Sequence, residues 1–223
     1  MSARAAALIV LGSVLGAWAI SRVADAAAAQ AETDTTALDY VNPWKAIETM
    51  SNQASTERAV QDVNVRAFLT MIAKAEGTEG RGDPYRVCYA YAHTVKDLRD
   101  HPAVTGEWRG QRLTDQQCKG AGLGPGCVST AAGRYQIIRP TWLTCKRALG
   151  LPDFGPDSQD RAAVYLIDQA GALDLVKAGR VEEAIPKLRR VWASFPGAGY
   201  AGQGMRSLNW MTTAYQQAGG YLA

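Results

Sequence analysis

Apolar residues recur at helical spacing through most of the chain beyond residue 62. The first such stripe has apolar side chains at positions i, i+3, i+4 and i+7, namely Val65, Phe68, Leu69 and Ile72. Asp62 before the stripe is a suitable N-cap, and Gly77 after it is a suitable C-terminal stop. The pattern therefore predicts a core helix between these two residues.

The rest of the chain predicts further helices and one small strand region. Tyrosines and Val87 alternate with other residue types over residues 85–91, which predicts a short strand, and residues 92–132 have the composition of loops. Further helices are predicted at residues 139–150, 158–170, 181–192 and 208–215. Pro186 indicates a late start or a kink in the third of them. The predicted fold class is α+β, mostly helical.

An uncharged and largely apolar segment lies near the N-terminus. Residues 5–21 carry no charged side chain and are bounded by Arg4 and Arg22. As a helix this segment would span roughly 25 Å, slightly less than the hydrocarbon core of a bilayer. Residues 1–29 are predicted to be either a signal peptide cleaved after the alanines at 27–29 or a signal anchor that holds the protein on the inner membrane. Both deliver the chain to the periplasm.

Charge divides the chain into three parts. Residues 1–29 have a net charge of +1, residues 30–61 have −3, and residues 62–223 have +5, within a total of +3. Residues 30–61 are predicted to be a partly ordered acidic spacer, in which the spacing of Trp44, Ile47 and Met50 allows a short amphipathic helix. The small total charge gives no support for a nucleic-acid-binding protein.

A carboxyl group falls at the end of the predicted core stripe. Glu76 follows Val65 by eleven positions, so at about 100° per residue it lies roughly 20° from the stripe. Burial and the partial negative charge of a helix C-terminus both raise the pKa of a carboxyl group. Such a group is suited to protonate a glycosidic oxygen. The alternative is a surface residue that points to solvent or caps a loop.

The cysteine and histidine content limits the possible chemistry. Four cysteines permit two disulfides in three connectivities, and the sequence does not choose among them. Cys118 and Cys127 flank a Gly/Pro-rich loop, which favours a local disulfide and leaves Cys88 to pair with Cys145. With two histidines and no Cys-x-x-Cys spacing, neither a structural zinc site nor a catalytic cysteine is expected.

Several blocks of the sequence resemble the bacteriophage lambda endolysin family. The first is Arg66–Thr78, which contains Glu76. The other blocks follow in the same order as in that family, at residues 100–102, 132–136, 149–160 and 192–200. Together they extend over about residues 62–220. The resemblance implies that residues 62–223 form a lysozyme-like catalytic domain, with a small β region beside the substrate cleft.

The resemblance also implies a lytic transglycosylase that cleaves the β-1,4 bond between N-acetylmuramic acid and N-acetylglucosamine in peptidoglycan. The family's catalytic Glu corresponds to Glu76, and Thr78, Tyr135 and Gln136 correspond to expected substrate-binding positions. Gln136 would hydrogen-bond the sugar and Tyr135 would pack in the cleft wall, unless both only form a structural turn. The implied enzyme is a monomer that acts on glycan strands and needs no metal or organic cofactor.

The reaction type leaves alternatives open. Lysozymes of the phage T4 type place an Asp nine positions after the Glu, where this chain has Tyr85. A transglycosylase needs only one carboxyl group, because the C6 hydroxyl of the muramoyl residue is the nucleophile. The alternatives are a hydrolysing muramidase that positions water with Asp83 or Glu79, a catalytically inactive wall-binding module, and a host enzyme that remodels the wall.

Two features depart from the family pattern. They are the export segment and the four cysteines, with a longer loop around residues 118–127. Both suggest the hypothesis of an enzyme that stays inactive until it is released from the membrane or oxidised.

Overall fold

The structure is a computed structural model that describes residues 43–80, 82–199 and 204–223. The predicted export segment, its possible cleavage site and the first part of the predicted spacer lie outside the described residues. Within the described ranges, no helix is both long and apolar enough to cross a membrane.

The described part of the chain is mainly helical. Its helices are α1 Pro43–Ala59, α2 Val63–Glu76, α3 Pro102–Thr105, α4 Asp115–Gly120, α5 Arg139–Leu149, α6 Pro156–Gln169, α7 Leu173–Lys177, α8 Val181–Leu188 and α9 Leu208–Gln217. Two short strands, β1 Gln111–Arg112 and β2 Val128–Ser129, pair antiparallel with Gln111 opposite Ser129. The predicted α+β class with a small β region is confirmed.

Helix α2 is the predicted core helix, and its ends are the predicted ones. The side chain of Asp62 accepts hydrogen bonds from the first backbone N–H groups, and Gly77 adopts a left-handed φ of 75° after the last turn. The predicted apolar stripe is buried, and α2 packs against α6, α7 and α9. Phe68 lies edge-on to the rings of Phe195 and Tyr215, so the helix is anchored in the centre of the core.

The other predicted helices are confirmed with shifted ends. Helix α5 ends at a left-handed Gly150, as predicted, and α6 begins at Pro156. Pro186 lies inside α8, which ends at Leu188, earlier than the apolar spacing indicates. Helix α9 extends to Gln217.

Helix α1 packs on the rest of the folded chain, where a partly ordered spacer was predicted. It lies against α5 and α6. The amide of Gln53 donates to the carbonyl of Leu149 at 2.7 Å. Trp44, Ile47 and Met50 instead point outward, with 77%, 57% and 68% of their surface exposed. Helix α1 therefore joins the packed part of the chain ahead of residue 62, through the buried Ala59 and the amide of Gln53.

The strand predicted at residues 85–91 is not formed. Pro84–Arg86 is a 3₁₀ turn, and Tyr89–Tyr91 forms a second turn at the tip of a hairpin in which Val87 pairs with Thr94. The proline and the tight turn interrupt the extended backbone that the alternation of side chains indicated. Residues 87–94 are called the tip hairpin below.

A disulfide closes the small β region. Cys118 and Cys127 are bonded, with their Cα atoms 5.8 Å apart, as the sequence favoured. The predicted second disulfide is wrong, because Cys88 and Cys145 are buried free thiols. Cys88 forms a β-bridge with Ala132, whereas the sulfur of Cys145 faces helix α6. Residues 111–129, which include β1, α4 and β2, are called the β lobe below.

Candidate active site

Glu76 is the last residue of α2 and is partly buried. Its Oε1 atom accepts a hydrogen bond of 2.6 Å from the hydroxyl of Ser194, 118 residues further along the chain. Ser194 is itself buried, and its backbone carbonyl accepts from the N–H of Arg206 at 2.8 Å. The end of α2 therefore meets a part of the chain that lies 118 residues further along the sequence.

The surroundings of Glu76 change its protonation. Burial raises the pKa of Glu76 from 4.5 to about 7. Hydrogen bonds from the hydroxyl and backbone N–H of Ser194, together with the charge of Arg206, oppose this effect because they favour the carboxylate. Near neutral pH both forms of the group are populated, so it can donate a proton and later accept one. The raised pKa predicted from the sequence is confirmed.

A turn at residues 133–136 connects the two segments that hold this carboxyl group. The hydroxyl of Thr78, just beyond the end of α2, donates to the carbonyl of Arg134 at 2.7 Å. The indole N–H of Trp192 donates to the carbonyl of Tyr135 at 3.0 Å. Because Trp192 lies on the segment that reaches the carboxyl group, the turn holds the helix end and that segment together.

A network of charged and phenolic groups anchors the side chains of the same turn. The guanidinium of Arg134 pairs with Glu79 at 2.9 Å and donates to the hydroxyl of Tyr85 at 3.0 Å. The hydroxyls of Tyr135 and Tyr85 both donate to Asp160, at 2.6 and 2.9 Å. Burial, reinforced by the negative charge of Asp160, raises the pKa of Tyr85 to about 12 and also raises the pKa of Tyr135. Both hydroxyls therefore stay protonated and keep donating.

The three residues expected to bind substrate are turned into the protein. Thr78 is 1% exposed and Tyr135 is 0% exposed, and the hydroxyls of both are bonded to protein groups. The side-chain amide of Gln136 donates to the carbonyls of Val87 and Gly133 at 3.1 and 2.9 Å, which uses both of its hydrogens. The hydroxyls of Thr78 and Tyr135 are thus committed to protein groups, and the side-chain amide of Gln136 can offer a sugar only its oxygen.

Two residues near Glu76 were not identified from the sequence. Ser194 lies within a block that resembles the endolysin family, yet no spacing rule connects it to a glutamate 118 residues earlier. Arg206 lies beyond that block and acts on the carboxyl group through space. Only the folded chain brings them to the site.

Comparison with known proteins places these features in a family. A family model described as Endolysin matches residues 66–222. The endolysin of Escherichia phage P2 is 40% identical over 157 residues, which are 70% of this chain and 93% of that protein. The endolysin of Escherichia phage lambda is 35% identical over 160 residues, which are 70% of this chain and 90% of that protein.

Solved structures agree with the sequence comparison. Bacteriophage lambda lysozyme complexed with a chitohexasaccharide matches with a TM-score of 0.60 and 34% identity, covering 72% of this chain and 97% of that chain. A second structure of lysozyme from bacteriophage lambda matches with a TM-score of 0.57 and 32% identity. The predicted lysozyme-like fold is confirmed, and the chain belongs to the endolysin family.

Proposed function

We propose that this protein is a peptidoglycan lytic transglycosylase in which Glu76 is the catalytic acid and base. The observation that carries the proposal is the single carboxyl group at the end of α2, bonded to Ser194 and with a pKa of about 7. A glycan substrate is supported by the similarity to lambda lysozyme, whose structure contains a chitohexasaccharide.

The neighbouring carboxylates support a reaction that needs only one carboxyl group. Glu79 is paired with Arg134 at 2.9 Å. Asp83 accepts from the backbone N–H of Tyr85 at 3.0 Å and pairs with Arg86 at 3.2 Å. Both carboxylates are therefore held as ion-pair partners of arginines.

The proposed reaction has two proton transfers at the same side chain. Protonated Glu76 gives its proton to the glycosidic oxygen as the bond from that oxygen to C1 of the muramoyl residue breaks. The carboxylate that remains takes the proton from the C6 hydroxyl of the same residue, and O6 bonds to C1. The product carries a 1,6-anhydro ring, no water is consumed, and Glu76 ends in its starting protonated form.

The origin of the product oxygen tests this mechanism. Purified cell wall is digested in water enriched in heavy oxygen, and the muropeptides are analysed by mass spectrometry. We expect products that are lighter than hydrolysis products by one water molecule and that contain no heavy oxygen. Reducing ends that carry heavy oxygen would instead identify a hydrolysing muramidase.

A matched variant tests the role of Glu76. Glu76→Gln keeps the size of the side chain and can still accept from Ser194, but it cannot transfer a proton at neutral pH. We expect this variant to bind cell walls and to release no soluble muropeptides. Full activity in the variant would contradict the mechanism, and a wild type that clears no wall would identify a wall-binding module.

We further propose that residues 5–21 export the enzyme to the periplasm, where the disulfide between Cys118 and Cys127 persists. Sequencing the N-terminus of the protein isolated from cells distinguishes cleavage after the alanines at 27–29 from an intact membrane anchor. An intact chain recovered only from the cytoplasm would contradict export.

A further inference from the structure

The tip hairpin has an unusual backbone. Of the described residues other than glycine, only Ala90, Tyr91 and Gln136 have positive φ angles, at 54°, 57° and 49°. Two of them are adjacent, at the tip of the hairpin. Residues with a Cβ atom adopt this conformation at an energetic cost that glycine avoids. Strain of this kind is concentrated at functional sites, where the surrounding structure holds it in place.

The strained turn is hydrogen-bonded on one side to the residue after α2 and on the other side to the β lobe. The hydroxyl of Tyr91 donates to the carbonyl of Gly77, the residue directly after Glu76. On the other side, the hydroxyl of Tyr89 accepts from the side chain of Gln117 in the β lobe at 3.3 Å. The tip hairpin therefore reaches from the end of α2 to the β lobe.

The ring of Tyr91 contributes little to the core. The residue is 40% exposed and is absent from the buried cluster that holds the helices together. Its hydroxyl is tied to the backbone, so the orientation of the ring is fixed before any ligand binds. A preoriented aromatic surface binds with a smaller loss of side-chain freedom than a mobile one.

We propose that the ring of Tyr91 is a platform on which a hexosamine ring of the glycan strand stacks beside Glu76. A pyranose ring has a face of C–H groups and a polar edge, which matches an aromatic face bordered by polar groups. Stacking there would hold the sugar next to the carboxyl group that acts on its glycosidic bond. This inference rests on the proposed function, because it requires a glycan at Glu76.

Four variants separate a platform from a structural role. Each variant is made in the full chain together with Glu76→Gln, so that no turnover occurs. The variants are Tyr91→Phe, Tyr91→Ala, Tyr91→Gly and the control Tyr221→Ala. Tyr221 is a suitable control because it is 70% exposed and its backbone is bonded to Asn64, near the opposite end of α2. Calorimetry measures the affinity for chitohexaose, and thermal unfolding measures stability.

The expected pattern is specific to stacking. The control keeps the affinity of the Glu76→Gln parent, and Tyr91→Ala and Tyr91→Gly weaken it by about 2- to 10-fold. Tyr91→Phe loses less affinity than these two, because it keeps the ring and lacks only the hydroxyl that orients it. Tyr91→Gly unfolds no earlier than the parent, because glycine tolerates the positive φ. In the active enzyme, the same two substitutions raise KM for cell walls more than they lower kcat.

Three results would overturn the platform. They are unchanged affinity in Tyr91→Ala, a loss in Tyr91→Phe as large as in Tyr91→Ala, or a loss of affinity that follows a matching loss of stability. In all three the parent still binds chitohexaose, so the proposed function stands. A parent that binds no chitohexaose would overturn both the platform and the glycan site.

Discussion

At the scale of single residues, the contact between Ser194 and Glu76 sets the chemistry of the site. Burial alone would drive the pKa of Glu76 higher, and the hydrogen bond of 2.6 Å from Ser194 limits the rise. Hydrogen bonds to an ionised carboxylate are stronger than those between neutral groups. Ser194 is therefore a positioning residue that also tunes the acid.

Removing the hydroxyl is expected to shift the pH dependence of the enzyme. In Ser194→Ala the carboxylate loses a donor, so the pKa of Glu76 rises and the alkaline limb of kcat/KM moves up by about one pH unit. Ser194→Thr keeps a hydroxyl and should keep the limb in place. Profiles of kcat/KM against pH test this, and an unshifted limb in Ser194→Ala would contradict a tuning role.

The raised pKa of Glu76 also predicts how stability depends on pH. The unfolded carboxyl group titrates near 4.5 and the folded one near 7, so the native state binds this proton more tightly. The stabilisation of the native state by this proton is fully present below pH 4.5 and is lost as the pH rises through about 7. The loss in the free energy of unfolding is at most about 3 kcal/mol. Glu76→Gln has no such loss.

The free energy of unfolding of Glu76→Gln, relative to wild type, should therefore increase between those two pH values and stay constant above them. Urea unfolding of both proteins on each side of this window measures the difference. Parallel stability curves would show that the folded carboxyl group titrates normally.

At the scale of elements, α1 shows how a helix can dock through polar groups. The last carbonyls of any helix lack hydrogen-bond donors within that helix. Side chains of α1 supply donors to two such carbonyls at the end of α5. Gln53 bonds to Leu149 at 2.7 Å, and Asn52 reaches Ala148 at 3.5 Å. The contact thus satisfies the last backbone carbonyls of α5, while the apolar residues near the start of α1 are exposed.

Gln53→Ala is expected to lower the free energy of unfolding by about 1–2 kcal/mol, because it leaves the carbonyl of Leu149 without its donor. Ser51→Ala, at an exposed position on the same helix, is the matched control and should change stability little. Urea unfolding measures both variants. Equal stability of the two would mean that α1 docks independently of this hydrogen bond.

At the scale of the whole molecule, the charge distribution favours an anionic partner. Residues 62–223 have a net charge of +5, and the described residues before them add none, since Lys45 and Arg58 balance Glu48 and Glu57. A cationic protein is drawn to an anionic polymer by long-range attraction, and salt screens this attraction.

Binding to cell walls should therefore weaken as salt is added, whereas binding of uncharged chitohexaose should not. Sedimentation with purified walls and calorimetry with chitohexaose, both with Glu76→Gln, measure the two cases across a range of salt concentrations. Equal salt dependence would show that net charge does not contribute to wall binding.

Much of the fold could be predicted from the sequence because its signals are local. The stripe on α2, its cap at Asp62 and its stop at Gly77 lie within one short segment. The strand at residues 85–91 was predicted wrongly because the same alternation of side chains occurs in a tight hairpin tip. The pairing of Cys88 with Cys145 was wrong because counting cysteines carries no information about distance.

The sequence by itself determined the central helix, the position of Glu76 at its end and the family of the chain. Only the tertiary structure decided what surrounds that carboxyl group. Ser194 comes from a segment 118 residues away, and the turn that holds Thr78 and Trp192 comes from a third part of the chain. Helical periodicity and capping act over a few residues, whereas desolvation and hydrogen bonding at a site depend on which distant segments the fold brings together.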